Sequence, residues 1–148
     1  MGGAKGRMKR ETIHRQRQLE AEGWALKSEK INQVAPHTGF ESLKHYHLKA
    51  EIARQASNKT CGFITEAALG DASVDADYAD VLLLRESTHE KGIVVELESN
   101  FTEEKKRKKI NQYLTPTIQE VLVWNPQDAP DSLDGLNEWV GKHLKGFI

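Results

Sequence analysis

The sequence predicts an α/β fold, with one mixed central sheet of about four to five strands flanked by helices. Short runs rich in Val, Ile and Leu alternate with longer stretches of helical periodicity, which is the pattern of strands interleaved with helices. Gly, Pro, Asp and Ser clusters separate the runs at the intervals expected of turns. The length of 148 residues, with 38% hydrophobic and 29% charged, suits a single core.

Residues 1–23 read as a basic arm running into a helix, and residues 24–148 as the domain itself. In the first 17 positions Lys5, Arg7, Lys9, Arg10, Arg15 and Arg17 face one acid, Glu11, while Gly2, Gly3 and Gly6 loosen the start. A helix is predicted over 8–21, stopping at Gly23, and Trp24 and Leu26 then alternate with Ala25 and Lys27 as a short strand. Pro36 and Gly39 mark a loop. From Glu41 to about Asn58, Leu43, Leu48, Ile52 and Ala56 recur at helical spacing. Gly62–Leu69, Ala79–Leu84 and Gly92–Leu97 read as three consecutive strands. Asn100 to Glu103 has the Asn-x-x-Glu form of a capping box, predicting a helix as far as Leu114, before Thr115-Pro116. Ile118–Trp124 is the next strand. Pro130-Asp131-Ser132 caps a last helix with an apolar stripe of Leu133, Leu136, Val140 and Leu144.

Composition excludes several classes of function. The formal net charge of −1 gives the chain no overall pull toward polyanions, so any basic footprint is local. No apolar stretch approaches the ~20 residues of a membrane span, and the basic N-terminus lacks the apolar core of a signal peptide. The single Cys61 cannot form an intramolecular disulfide or a multi-cysteine zinc site, which points to a reducing, cytoplasmic setting. His45 and His47, two apart on a helix, face different ways and make no zinc pair.

The candidate chemistry lies in the acids of the strands. Asp80 stands where the second strand enters the sheet, just before the apolar Val81–Leu84. Glu96 and Glu98 follow the apolar Gly92–Val95 and, two apart on a strand, point to one face with Cα atoms roughly 6.6 Å apart. A carboxylate at the end of a buried strand is costly unless a cation or hydrogen bonds offset it. Oxygen ligands of this kind suit Mg²⁺ or Mn²⁺, which leave places for water and phosphate oxygens. Solvent-facing acids on an edge strand are the alternative. The basic run Lys105-Lys106-Arg107-Lys108-Lys109 begins seven residues later; Lys109 and Tyr113 share one helical face, although five successive cations also suit a solvated surface.

With Asp80 ahead of Glu96-Leu97-Glu98 in the order helix, three strands, helix, strand, the chain resembles the PD-(D/E)XK nuclease superfamily over about residues 45–124. That resemblance implies a restriction-endonuclease-like core, with Asp80 as the motif Asp, Glu96 as the motif acid and Glu98 in the place of the Lys. Some restriction enzymes of the superfamily carry Glu-x-Glu and remain active. Lys109 with Tyr113 resembles the extra helical motif that several of its families place beside the metal. The expectation is therefore a Mg²⁺- or Mn²⁺-dependent nuclease cleaving DNA phosphodiesters, structure-selective or non-specific. Asp80, Glu96, Glu98 and Lys109 would be catalytic, and Asp80, Glu96, Glu98, Glu66 and Glu51 candidate metal ligands. The alternative is an inactive nuclease-fold module that binds nucleic acid or a protein. By analogy with small nucleases of that superfamily, which dimerise so that both strands are reached, a homodimer is expected of the nuclease.

Overall fold

The computed structural model describes residues 2–37, 39, 41–70, 76–85 and 91–148, with side chains from Arg10 onward. In chain order the elements are α1 (Gly2–Glu20), β1 (Trp24–Ala25), α2 (Leu43–Asn58), β2 (Phe63–Leu69), β3 (Asp77–Leu83), β4 (Gly92–Leu97), α3 (Glu103–Tyr113), β5 (Ile118–Trp124) and α4 (Leu133–Leu144). Single 3-10 turns at Ser28–Lys30 and Pro126–Asp128 complete the backbone order. The five strands form one sheet in the order β1-β2-β3-β4-β5. β1 through β4 pair antiparallel, whereas β5 lies parallel to β4. That single parallel pairing follows from α3, which lies between them in the chain as the crossover that parallel neighbours require.

Strand periodicity sends alternate side chains into two apolar layers. Val81, Leu83, Ile93 and Val95 meet Leu48, Ile52 and Ala56 of α2 and Leu136, Val140 and Leu144 of α4. Leu82, Val94, Val121 and Val123 turn the other way, toward Leu19 of α1, Trp24 and Tyr113 of α3. Burial on both faces is why these strands read as continuous apolar runs rather than as alternating ones.

Several boundaries differ from expectation, each for a local reason. α1 begins at Gly2 rather than residue 8; Ala4 and Lys5 between its glycines and Arg7, Met8 and Lys9 after them are good helix formers, so the basic arm is helical. It still ends near Gly23, which takes φ +105°, a conformation that costs glycine little. The cap of α3 is Thr102, not Asn100: its hydroxyl accepts from Lys105 N–H at 3.1 Å, placing Glu103 and Glu104 in the first turn, where the helix dipole favours acids. Leu43 and Leu133, expected on apolar stripes, are exposed. Both directly follow a serine N-cap, Ser42 and Ser132, at the overhanging start of their helices. Asp77 is the first residue of β3 and pairs with Leu69, so Asp80 stands inside the strand rather than at its head.

Candidate active site

Asp80 lies where the sheet opens. On one side, β2 and β3 pair from Phe63–Leu83 to Leu69–Asp77, with a break at Glu66, which would face Asp80. Glu66 adopts φ +53°, a left-handed backbone that costs a residue bearing a Cβ roughly 1–2 kcal/mol. On the other side, the β3–β4 ladder ends at Val81–Val95, one step short of Asp80 and Glu96. The N–H of Leu97, released by that parting, donates instead to Asp80 Oδ2 at 2.7 Å. The fork thus turns a backbone donor and two acids inward.

Glu96 is 3% exposed, and its Oε1 is buried without a hydrogen-bond partner. Its other oxygen lies 3.8 Å from Lys109 Nζ, which also sits 5.9 Å from the centre of the Tyr113 ring. Burial first, and then the neighbouring charge of Asp80, pushes Glu96 up to about 9. Burial works against charge on Asp80 too. There, hydrogen bonds with His45 and Glu96, the His45 charge and the Leu97 N–H prevail and hold it below the usual carboxylate range. The two acids therefore titrate as one coupled pair that holds on to a shared proton, Glu96 being raised and Asp80 lowered. Burial, together with Glu96, Asp77 and Asp80, raises the Tyr113 hydroxyl above its ordinary value.

A third element, α2, closes the site. His45 Nε2 lies 3.1 Å from Asp80 Oδ1 and 3.8 Å from Glu41 Oε2. Lys49, 1% exposed, is held between Glu41 at 2.8 Å and Glu66 at 2.6 Å. Burial alone would lower both His45 and Lys49; their carboxylate partners outweigh it and leave both raised.

The fork thus gathers Asp80, Glu96 and Lys109, with Glu66 entering through Lys49. Glu98 stands just past the end of β4, where it accepts from Asn100 N–H at 3.1 Å and lies 3.8 Å from Lys105. Glu51 is turned toward α4, bound by Arg54 at 2.7 Å and by Asn137 at 3.0 Å. Glu41, His45 and Lys49 were not anticipated as members of this cluster. Their only signal in the sequence is a spacing of four, which puts His45 and Lys49 on one stripe of α2, with Glu41 just ahead of the Ser42 cap.

Among the described residues no group of three His, Cys, Asp or Glu side chains converges as a metal site. Asp80 and Glu96 nevertheless fit a divalent cation that takes one or two protein carboxylates and fills its other places from solvent or phosphate. The unpartnered Glu96 Oε1 is a free hard-oxygen donor, and the shared proton occupies charge space that a cation would take over. Comparison of the chain with family models, with curated proteins and with solved structures finds no match. No helix among the described residues is long and apolar enough to cross a membrane.

Proposed function

We propose that this chain is a metal-dependent nuclease that hydrolyses DNA phosphodiester bonds, structure-selective or non-specific in its choice of site. The observation that carries the reading is the Asp80–Glu96 pair at the strand fork, Asp80 half-buried and Glu96 buried with an unsatisfied carboxylate oxygen and a cation 3.8 Å away. Asp80 and Glu96 would hold Mg²⁺ or Mn²⁺, which when bound supplies Lewis-acid charge for the phosphoryl oxygens. Lys109 lies on the same side, positioned to offset negative charge that develops on the scissile phosphate. The exposed Lys105, Arg107 and Lys108 of α3 would grip the phosphate backbone, a contact that gives affinity without reading sequence. A reducing compartment such as the cytoplasm suits the buried Cys61, the single cysteine of the sequence. A homodimer would bring two such forks to the two strands of a duplex.

One observation favours a second reading. Glu98, in the position where the resembling superfamily carries lysine, is engaged by the Asn100 N–H and Lys105 rather than by the acid pair. The protein would then be an inactive nuclease-fold module that binds DNA or a protein partner. A single experiment separates the two. Supercoiled plasmid and branched DNA are incubated with the protein in Mg²⁺, Mn²⁺ or EDTA. The nuclease reading expects metal-dependent nicking that Asp80→Asn and Glu96→Gln each abolish while the far-ultraviolet spectrum is retained. Full activity in Glu96→Gln would remove the site from the mechanism. An inert wild type that gains metal-dependent cleavage on Glu98→Lys would establish the second reading.

A further inference from the structure

The carboxylate of Asp80 is held at both oxygens by donors from different elements. Leu97 N–H of β4 donates to Oδ2 at 2.7 Å, and His45 of α2 meets Oδ1 at 3.1 Å. As a metal ligand the Asp80 carboxylate would be ionised and could only accept, so in that state His45 Nε2 would donate across the 3.1 Å contact. Two donors on opposite oxygens leave the carboxylate no free rotation. The imidazole is itself braced: Glu41 Oε2 lies 3.8 Å from the same nitrogen, Glu41 is paired with the buried Lys49, and Lys49 is tied to Glu66 on β2. Helix α2 thus reaches the strand fork through one side chain.

We propose that His45 is the positioning residue of the site, fixing the Asp80 carboxylate in the orientation in which, together with Glu96, it binds a divalent cation. The inference rests on the metal reading above. An outer hydrogen-bond partner of a metal-ligating carboxylate typically changes metal affinity about 10–100-fold when removed. A residue that merely joins α2 to β3 would change stability and leave the affinity of the folded protein alone.

The test is calorimetric titration of Mn²⁺ into the wild type, His45→Phe, His45→Gln and Glu96→Gln, with thermal unfolding of each as a control. Phe keeps the bulk without the donor, whereas Gln places an amide N–H near the position of Nε2. Expected are Mn²⁺ affinity about 10–100-fold weaker in His45→Phe, within about threefold of wild type in His45→Gln, and lost in Glu96→Gln. Wild-type affinity in a folded His45→Phe protein would overturn the positioning role while leaving the metal site standing. Equal weakening in His45→Phe and His45→Gln would overturn it too, because the hydrogen bond would then not be the cause. Absence of Mn²⁺ binding in the wild type would overturn the metal reading itself, and the positioning role with it. A measurement on the unmutated protein covers the case in which His45→Phe does not fold. Mg²⁺ added to isotope-labelled wild type should shift the His45 imidazole resonances with the same saturation as binding, and an unmoved ring at saturation would refute the inference.

Discussion

Glu96 is the residue on which charge, burial and function press hardest. In the folded protein it holds its proton up to about 9, against an ordinary value near 4.5, because burial and Asp80 both oppose a second negative charge. Between those two pH values the folded state binds a proton that the unfolded chain has released, so stability falls as pH rises across that window. His45 adds to the decline. Its folded value is raised, so the stability it contributes is complete below its unfolded value and is lost as pH climbs through the folded one. Asp80 acts at the other end: its depressed value gives stability that disappears only as pH falls through it. Metal-free wild type should therefore be most stable in mild acid. Glu96→Gln, which replaces the shared proton with an amide, should flatten the profile and exceed wild type by on the order of a few kcal/mol near pH 9. Thermal melts in EDTA from about pH 5 to about pH 9 check this; parallel curves for the two proteins would contradict it. Asp80 and Glu96 were legible in the sequence because acids adjoining wholly apolar strand residues need a reason to be there. His45 and Lys49 were not, since polar residues four apart on an amphipathic helix look the same whether they face water or a buried acid. Only the approach of α2 to the strand fork distinguishes the two.

At the level of elements, the strands and helices were readable because local pattern and tertiary burial agree. Phe63–Leu69, Gly92–Leu97 and Ile118–Trp124 fall within or match the predicted runs, for each is apolar on both faces and flanked by turn residues. Helix starts were less legible, because several side chains near one start can serve as caps. Asn100 and Thr102 both qualify by type; Thr102 is chosen by its extended backbone at φ −138° and ψ 157°, while the Asn100 N–H is committed to Glu98. This choice has a measurable consequence. Thr102→Ala should lower stability by about 1 kcal/mol, whereas Asn100→Ala should change it by a few tenths, because only Thr102 satisfies an otherwise orphaned helical N–H. Urea unfolding with an unchanged denaturant slope would report the difference cleanly. Equal losses would contradict the assignment, and a larger loss in Asn100→Ala would return the cap to Asn100.

For the whole molecule the decisive quantity is the distribution of charge rather than its sum. A formal net charge of −1 predicts weak long-range attraction to DNA, yet the cations are segregated. Lys5, Arg7, Lys9 and Arg10 lie in the first half of α1, and Lys105 through Lys109 form a continuous run in α3. Leu19 of α1 and Tyr113 of α3 pack into the same apolar layer, so the two basic helices cover one face of the sheet, while α2 and α4 cover the other. If that face is the nucleic-acid surface, binding releases one set of counterions for each phosphate neutralised, and the logarithm of affinity falls linearly with the logarithm of salt at about 0.9 per contact. Deleting residues 1–10 removes four cations but leaves Thr12, Arg15, Gln16 and Leu19, the buried residues through which α1 is seated. The truncated protein should therefore stay folded and its salt slope should flatten by up to ~4 if all four cations touch phosphate. Changing Lys105 and Lys108 to Gln should flatten it by a further ~2, additively, because the two helices would contact the backbone independently. Fluorescence anisotropy with a labelled duplex across a salt series measures both. An unchanged slope after truncation would leave the arm idle and confine DNA binding to α3, and an unchanged slope in both proteins would move the nucleic-acid surface off this face altogether.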